Sequence, residues 1–123
     1  MIDDTFYTVV DKSVVDRLHH SFDVEFNVEH VIFQAHFPDN PIVPGVCSLE
    51  IMRQFAQSML GGEIRIPAVK NIKFVSLMTP AKGKIFTFDM QLSQKAENQY
   101  GAKVTISEGE TLLVKASVVF DKV

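Results

Sequence analysis

Only one cysteine, two tyrosines and no tryptophan occur in the 123 residues of this chain. The lone Cys47 cannot close an internal disulfide, so packing must hold the fold, and an unpaired thiol fits a reducing, cytoplasmic setting. No apolar run approaches the roughly 18 residues needed to cross a bilayer, and no basic-then-apolar signal segment opens the chain. The net charge of −3 lacks the basic excess expected of a nucleic-acid binder. His19 and His20 are adjacent, but no third or fourth ligand is spaced to join them, so neither a metal nor another cofactor is expected; a solvated strand edge is the expectation for this pair. His30 is expected to be structural or exposed. Internal repeats, low-complexity tracts and composition shifts are missing as well, which leaves one domain over residues 1–123.

What is present is material for a core. Hydrophobic residues make up 46% of the chain and include ten phenylalanines, enough for a packed globular domain. Strand-like patterning dominates both ends. Residues 5–28 read as strand: Phe6 to Val10 is rich in β-formers, and Phe22, Val24, Phe26 and Val28 alternate with polar residues, with a turn or bulge expected at Asp11-Lys12-Ser13. Residues 29–35 lack alternation and predict a short turn or one helical turn. Period-two patterning returns over 66–75, again at Phe86, Phe88, Met90 and Leu92, and at Ala102, Val104 and Ile106. A turn is expected over residues 79–83. Glu108-Gly109-Glu110 predicts a tight turn, after which Leu112, Val114, Ala116, Val118 and Phe120 complete a hairpin.

Between these strand regions lies HFPDNPIVPGVCSLEIMRQFAQSML, residues 36–60, and it differs from everything around it. Pro38, Pro41 and Pro44 each hold φ near about −65° and push the preceding residue towards extended geometry, so the loop must follow a defined path. Pro44-Gly45 then predicts a helix start. From Val46 to Leu60 the apolar positions wrap most of a helical wheel, the pattern of a buried helix, and Gly61-Gly62 should end it. Such a helix would be about 22 Å long and needs a sheet around it. Arg53 is expected to snorkel to the least buried side rather than pair with an acid. His36 before the helix, Glu50 within it and the N–H groups of Gly45 and Val46 between them provide a base, an acid and an electropositive helix end, the parts needed for proton transfer beside a carbonyl. On the residues alone, a histidine beside a phenylalanine is more often structural.

The ordered pattern HFPxxPxxPGVxxxE resembles the active-site segment of the β-hydroxyacyl-acyl-carrier-protein dehydratases. It is nearer the FabZ type, with glutamate in the helix, than the FabA type, with aspartate. The lead-in from Glu29 to Phe37 and the turn Met78-Thr79-Pro80 with Gly83 are weakly similar too. The resemblance implies an α+β hotdog fold, an antiparallel sheet wrapped around one long central helix. It also implies a homodimer or higher homo-oligomer with sites at the subunit interface, histidine from one chain and acid from the other, and no membrane span. The implied activity is dehydration of a 3-hydroxyacyl thioester, on acyl carrier protein or coenzyme A, in fatty-acid or related lipid synthesis.

Carried onto this chain, the resemblance implies His36 as the base, Glu50 as the acid and Gly45 with Val46 as the oxygen-binding N–H groups. Gln54 would support Glu50, and Phe37, Ile42 and Val43 would line an acyl tunnel, with plain core packing as the alternative for each. For Glu50 to donate a proton it must be protonated, and burial in an apolar helix should push it that way. Arg65, Lys70, Lys73, Lys82 and Lys84 are candidates for a basic rim facing an acidic carrier protein, though scattered lysines also serve as a solvated face. The chain departs from the family pattern at Asp39, at Arg53 and in lacking the family's proline-histidine-arginine opening. These departures imply a divergent branch serving a specialised pathway such as polyene synthesis. A hotdog thioesterase, a non-catalytic acyl-binding subunit and an isomerising dehydratase stay open as alternatives.

Overall fold

The computed structural model describes residues 4–35 and 39–123; His36, Phe37 and Pro38, three positions of the expected site and loop, lie outside the described residues. The elements run β1 (Tyr7–Asp16), β2 (His19–Phe26), α1 (Val31–Ala35), α2 (Gly45–Leu60), β3 (Ile64–Phe74), β4 (Ile85–Ala96), β5 (Gln99–Glu108) and β6 (Thr111–Lys122). Among the described residues the strands form one antiparallel sheet in the order β1-β2-β4-β5-β6-β3. Because β3 follows α2 yet joins the far edge beside β6, the chain must cross the sheet between β2 and β3, and α2 makes that crossing. This is the hotdog arrangement.

Period-two patterning becomes the inner face of the sheet. Phe22, Val24 and Phe26 of β2, Phe86, Phe88 and Met90 of β4, and Val104 and Ile106 of β5 are all buried against α2 and its flanking segments. At the centre the Phe22 and Phe55 rings stack with centroids 4.0 Å apart, and Phe88 meets Phe55 edge-on at 5.4 Å. Aromatic pairs of this geometry add to the free energy of simple burial. The helical turn expected over 29–35 is α1, and its Phe33 stacks on Phe6 at 5.1 Å.

Several local expectations shift. The first turn falls at Arg17-Leu18, closed by the Leu18 N–H donating to Asp16 Oδ1 at 2.9 Å; Asp11 instead marks a bulge, where the Lys12 N–H donates to Asp11 Oδ1. An aspartate accepting from the backbone two residues on is what closes such a turn. β2 therefore starts at His19 and lies between β1 and β4, so His19 and His20 are not on an edge: His20 is buried, and His19 Nε2 is 2.8 Å from Asp89 Oδ1 on β4. His30 is buried and packs edge-on against Phe6. β3 begins at Ile64 rather than 66 and carries Pro67 at a bulge between Arg65 and Ala68, where it drops out of the ladder to β6. In β6 a register shift opposite Ile106-Ser107 turns Leu113 inward and leaves Leu112 exposed.

Candidate functional site

α2 starts directly from the proline loop. Pro44 caps it with extended geometry (φ −61°, ψ 144°), and its carbonyl accepts from the N–H groups of Cys47 at 3.0 Å and Ser48 at 3.3 Å. Among the described residues no side chain caps this end, and the N–H groups of Gly45 and Val46, in the first turn, have no intrahelical acceptor. The loop is pinned by the Val43 N–H, which donates to the Met78 carbonyl at 2.9 Å, and Ser48 Oγ lies 3.7 Å from Met78 Sδ. At the other end Gly61 adopts φ 75° and its N–H donates to the Gln57 carbonyl, a cap that glycine enters without strain.

The helix is less uniformly buried than its apolar wheel suggests. Cys47, Ser48, Ile51, Met52, Phe55 and Ala56 form the buried face, whereas Val46, Glu50, Arg53, Gln54 and Gln57 follow one another at helical spacing along an open face. Glu50 therefore lies one turn below Val46 on the less buried side of the helix. Its carboxylate accepts from Arg53 twice, Nε to Oε1 and Nη2 to Oε2, both at 2.8 Å, and from Gln54 Nε2 at 2.9 Å. Arg53 Nη1 continues to Gln57 Oε1 at 3.0 Å and to the Ile64 carbonyl at 3.3 Å. On the opposite side the Tyr7 hydroxyl, carried in by β1, donates to Gln54 Oε1 at 2.5 Å. Tyr7, Gln54, Glu50 and Arg53 make one connected network.

Two expectations change here. Arg53 pairs with an acid instead of snorkelling: it stands three positions after Glu50, a spacing that places both on one side of a helix. That fork in turn reverses the expected protonation of Glu50. The Arg53 guanidinium, helped by Gln54, holds the Glu50 carboxyl below its ordinary value, outweighing burial, which acts the other way. With 29% of the Glu50 side chain exposed, desolvation is too slight to win. The Tyr7 hydroxyl is pushed up to about 12, by burial first and then by the Glu50 charge, and so stays a donor.

The remaining candidates are distributed unevenly. Gly45 lies beneath the Phe74 ring, where a Cβ would come within 2.8 Å of Phe74 Cζ. Val46 is exposed, Ile42 is half-buried, and Val43 packs into the core, the alternative already open for it. The five basic residues do not form one rim. Arg65, Lys70 and Lys73 are on β3 at one sheet edge, and Lys70 borders an open groove of about 610 Å³ with Lys95 and Lys103. Lys82 and Lys84 are in the loop that reaches β2, where the Gly83 N–H donates to Glu25 Oε2 at 2.7 Å. Lys84 is committed within the fold: its Nζ donates to the Thr79 carbonyl at 2.8 Å and lies 3.4 Å from Glu108. Cys47 is buried, which pushes its thiol up. Tyr7 was missed in the sequence, 47 residues from Gln54 with no local signal; the Glu50-Arg53 spacing was a readable signal.

The family model of the ApeI-like dehydratases matches residues 12–114. The 3-hydroxyacyl-[acyl-carrier-protein] dehydratase FabZ of Levilactobacillus brevis is 28% identical over 100 residues, covering 76% of this chain and 66% of that protein. The enzyme of the same name from Erythrobacter litoralis is 32% identical over 112 residues, covering 77% and 71%. The chain thus spans about two thirds of the length of these relatives. Among solved structures, the dehydratase heterocomplex ApeI:P from Xenorhabdus doucetiae superposes with a TM-score of 0.79 over 94% of this chain and 97% of that one, at 14% identity, a likeness of fold. A family match running from the middle of β1 into β6, on a sheet and helix of this topology, makes the chain a divergent FabZ-like member of the ApeI-like dehydratase family.

Proposed function

We propose that the protein removes water from a 3-hydroxyacyl thioester, giving the trans-2-enoyl thioester, with acyl carrier protein as the carrier and the cytoplasm as its setting. The observation that carries this reading is the less buried face of α2, where the Glu50 carboxyl lies one turn from the first N–H groups of the helix. The thioester carbonyl would accept from the Gly45 N–H, with Val46 beside it, and the positive end of α2 favours the charge that grows on that oxygen. His36, nine positions before Gly45 in the sequence, takes the proton from the α-carbon. The electron pair released forms the double bond as the bond from the β-carbon to oxygen breaks, and Glu50 in its protonated form supplies the proton that lets the hydroxyl leave as water. Phe37 and Ile42 would line the path of the acyl chain.

A homodimer completes the site, with His36 and Glu50 facing each other from different protomers. Its support in this chain is the β3 edge, which together with the segment after it exposes Val69, Phe74, Val75 and Leu77; an apolar, unpaired edge invites a second strand. Arg65, Lys70 and Lys73 on that strand, with the exposed Lys82 before β4, are basic side chains offered to an acidic carrier protein.

The test is turnover of 3-hydroxyacyl thioesters of several chain lengths, on pantetheine and on carrier protein, beside a His36→Ala variant. Enoyl product that depends on His36 is expected. Release of free thiol instead would replace dehydration by thioester hydrolysis, and bound substrate without turnover would make the protein an acyl-binding subunit. The role of Gly45 has its own check. Gly45→Ala is expected to lower kcat/KM by roughly tenfold to a hundredfold, because the new methyl group narrows the approach to the N–H and collides with Phe74. Phe74 belongs to the edge proposed to pair between protomers, so a thermal melt and the oligomeric state are measured beside kcat/KM to separate a lost oxygen contact from a disturbed interface. An unaltered kcat/KM would remove Gly45 from the oxygen-binding role.

A further inference from the structure

We propose that Arg53 is a positioning residue that clamps Glu50 as an anion in the unloaded site, so that Glu50 becomes a proton donor only when the clamp is loosened by substrate. The inference rests on the dehydratase reading above. Its basis is geometric: both carboxylate oxygens of Glu50 are engaged by the planar guanidinium at 2.8 Å, a two-point contact that fixes orientation as well as charge. Arg53 is itself anchored at its third nitrogen, by Gln57 and by the Ile64 carbonyl at the start of β3. It is therefore held from both the helix and the sheet. The clamp is built rather than a chance pairing of two long side chains on the surface.

The other groups around Glu50 do not compensate. Gln54 donates to the same carboxylate and stabilises the anion further; Tyr7 from β1 donates to Gln54 and carries no charge over the working range. Glu63, in the connection to β3, acts on Arg53 and strengthens its positive state. Arg53, Gln54 and Glu63 thus all favour a charged pair, against burial, which disfavours both charges. A base such as histidine works in its neutral form, while the acid must be protonated. An anionic Glu50 means that only a minor fraction of free enzyme holds the correct pair of states near neutral pH. An entering acyl chain expels water and disfavours both charges of the clamp. Because Arg53 engages both carboxylate oxygens of Glu50, neither is free to carry a proton and meet a substrate hydroxyl until the clamp loosens.

The test follows the Glu50 side-chain carboxyl by carbon-13 NMR through a pH titration of the wild type, Arg53→Ala and Arg53→Lys, with the pH profile of kcat/KM measured alongside. Glu50 is expected to titrate at higher pH in Arg53→Ala and at an intermediate pH in Arg53→Lys, which keeps the charge but not the fork. The limb of the rate profile that requires protonated Glu50 should move the same way, extending activity to higher pH. An identical Glu50 titration in all three proteins would overturn the proposal, as would a rate profile that keeps its shape while only stability falls. The NMR titration needs no turnover, so it separates failure of the clamp from failure of the dehydratase reading.

Discussion

Turnover of a 3-hydroxyacyl thioester is expected to fall by roughly 10²- to 10⁴-fold when Glu50 is replaced by glutamine, the range associated with loss of a general acid. Glutamine occupies nearly the same volume and can still accept one hydrogen bond, from Arg53 or Gln54, so the network around it keeps its geometry. It cannot deliver a proton to the departing hydroxyl. The Arg53-Glu50 pair is partly exposed, and breaking such a pair costs up to about 1 kcal/mol, so the variant should unfold within a few degrees of the wild type. The check is kcat and KM from enoyl absorbance together with a thermal melt. The loss should fall on kcat, with KM little changed, because the proton is needed in the transition state rather than for binding. A variant that keeps wild-type kcat would move the acid function away from Glu50, and a variant that melts early would mean that the carboxylate's chief role is structural.

How much of this could be read in the sequence depended on the range of the interaction concerned. β4 and β5 were legible residue by residue, since alternation is a local pattern and both strands are covered on one face only. The bounds of α2 were legible too, because proline and glycine act on the chain at the positions where they stand. The start of β2 was not. Its histidines read as a polar edge, yet β4, more than 60 residues away, pairs with them and supplies Asp89. Pairing across the sheet leaves no mark on local periodicity. The site divided in the same way. Glu50, Gln54 and Gly45 are candidates through one contiguous motif, and their places on the helix follow from its period. Tyr7 came from another strand and was invisible. Arg53 was visible and misjudged, because snorkelling and pairing look alike in a helical wheel until the neighbours are placed. That single misjudgement carried over to Glu50, whose charge state depends on which group is beside it more than on how deep it lies.

A much larger effect on stability is expected at Phe55, where alanine should cost about 3–5 kcal/mol. The ring is 3% exposed and touches three others: it stacks on Phe22, meets Phe88 edge-on, and meets Tyr7 edge-on with centroids 5.8 Å apart. These contacts tie α2 to β2, β4 and β1 at one point, so truncation leaves a cavity that no single neighbour can fill without moving a strand. Against a total stability of about 5–15 kcal/mol for a domain, the loss is a large fraction, and the melting temperature should drop by more than about 10 °C. Val15→Ala, at a position 68% exposed on β1, should change stability by less than about 0.5 kcal/mol and serves as the comparison in the same melt. Phe55→Leu separates packing from positioning. Leucine restores most of the buried volume and should recover much of the stability, but it offers Tyr7 no ring to meet. Tyr7 would then hold Gln54 less firmly, and Gln54 would hold Glu50 less firmly. If the network orients Glu50, Phe55→Leu should lower kcat more than its stability predicts; if kcat is unchanged, the contact of Phe55 with Tyr7 contributes to the core and not to the site.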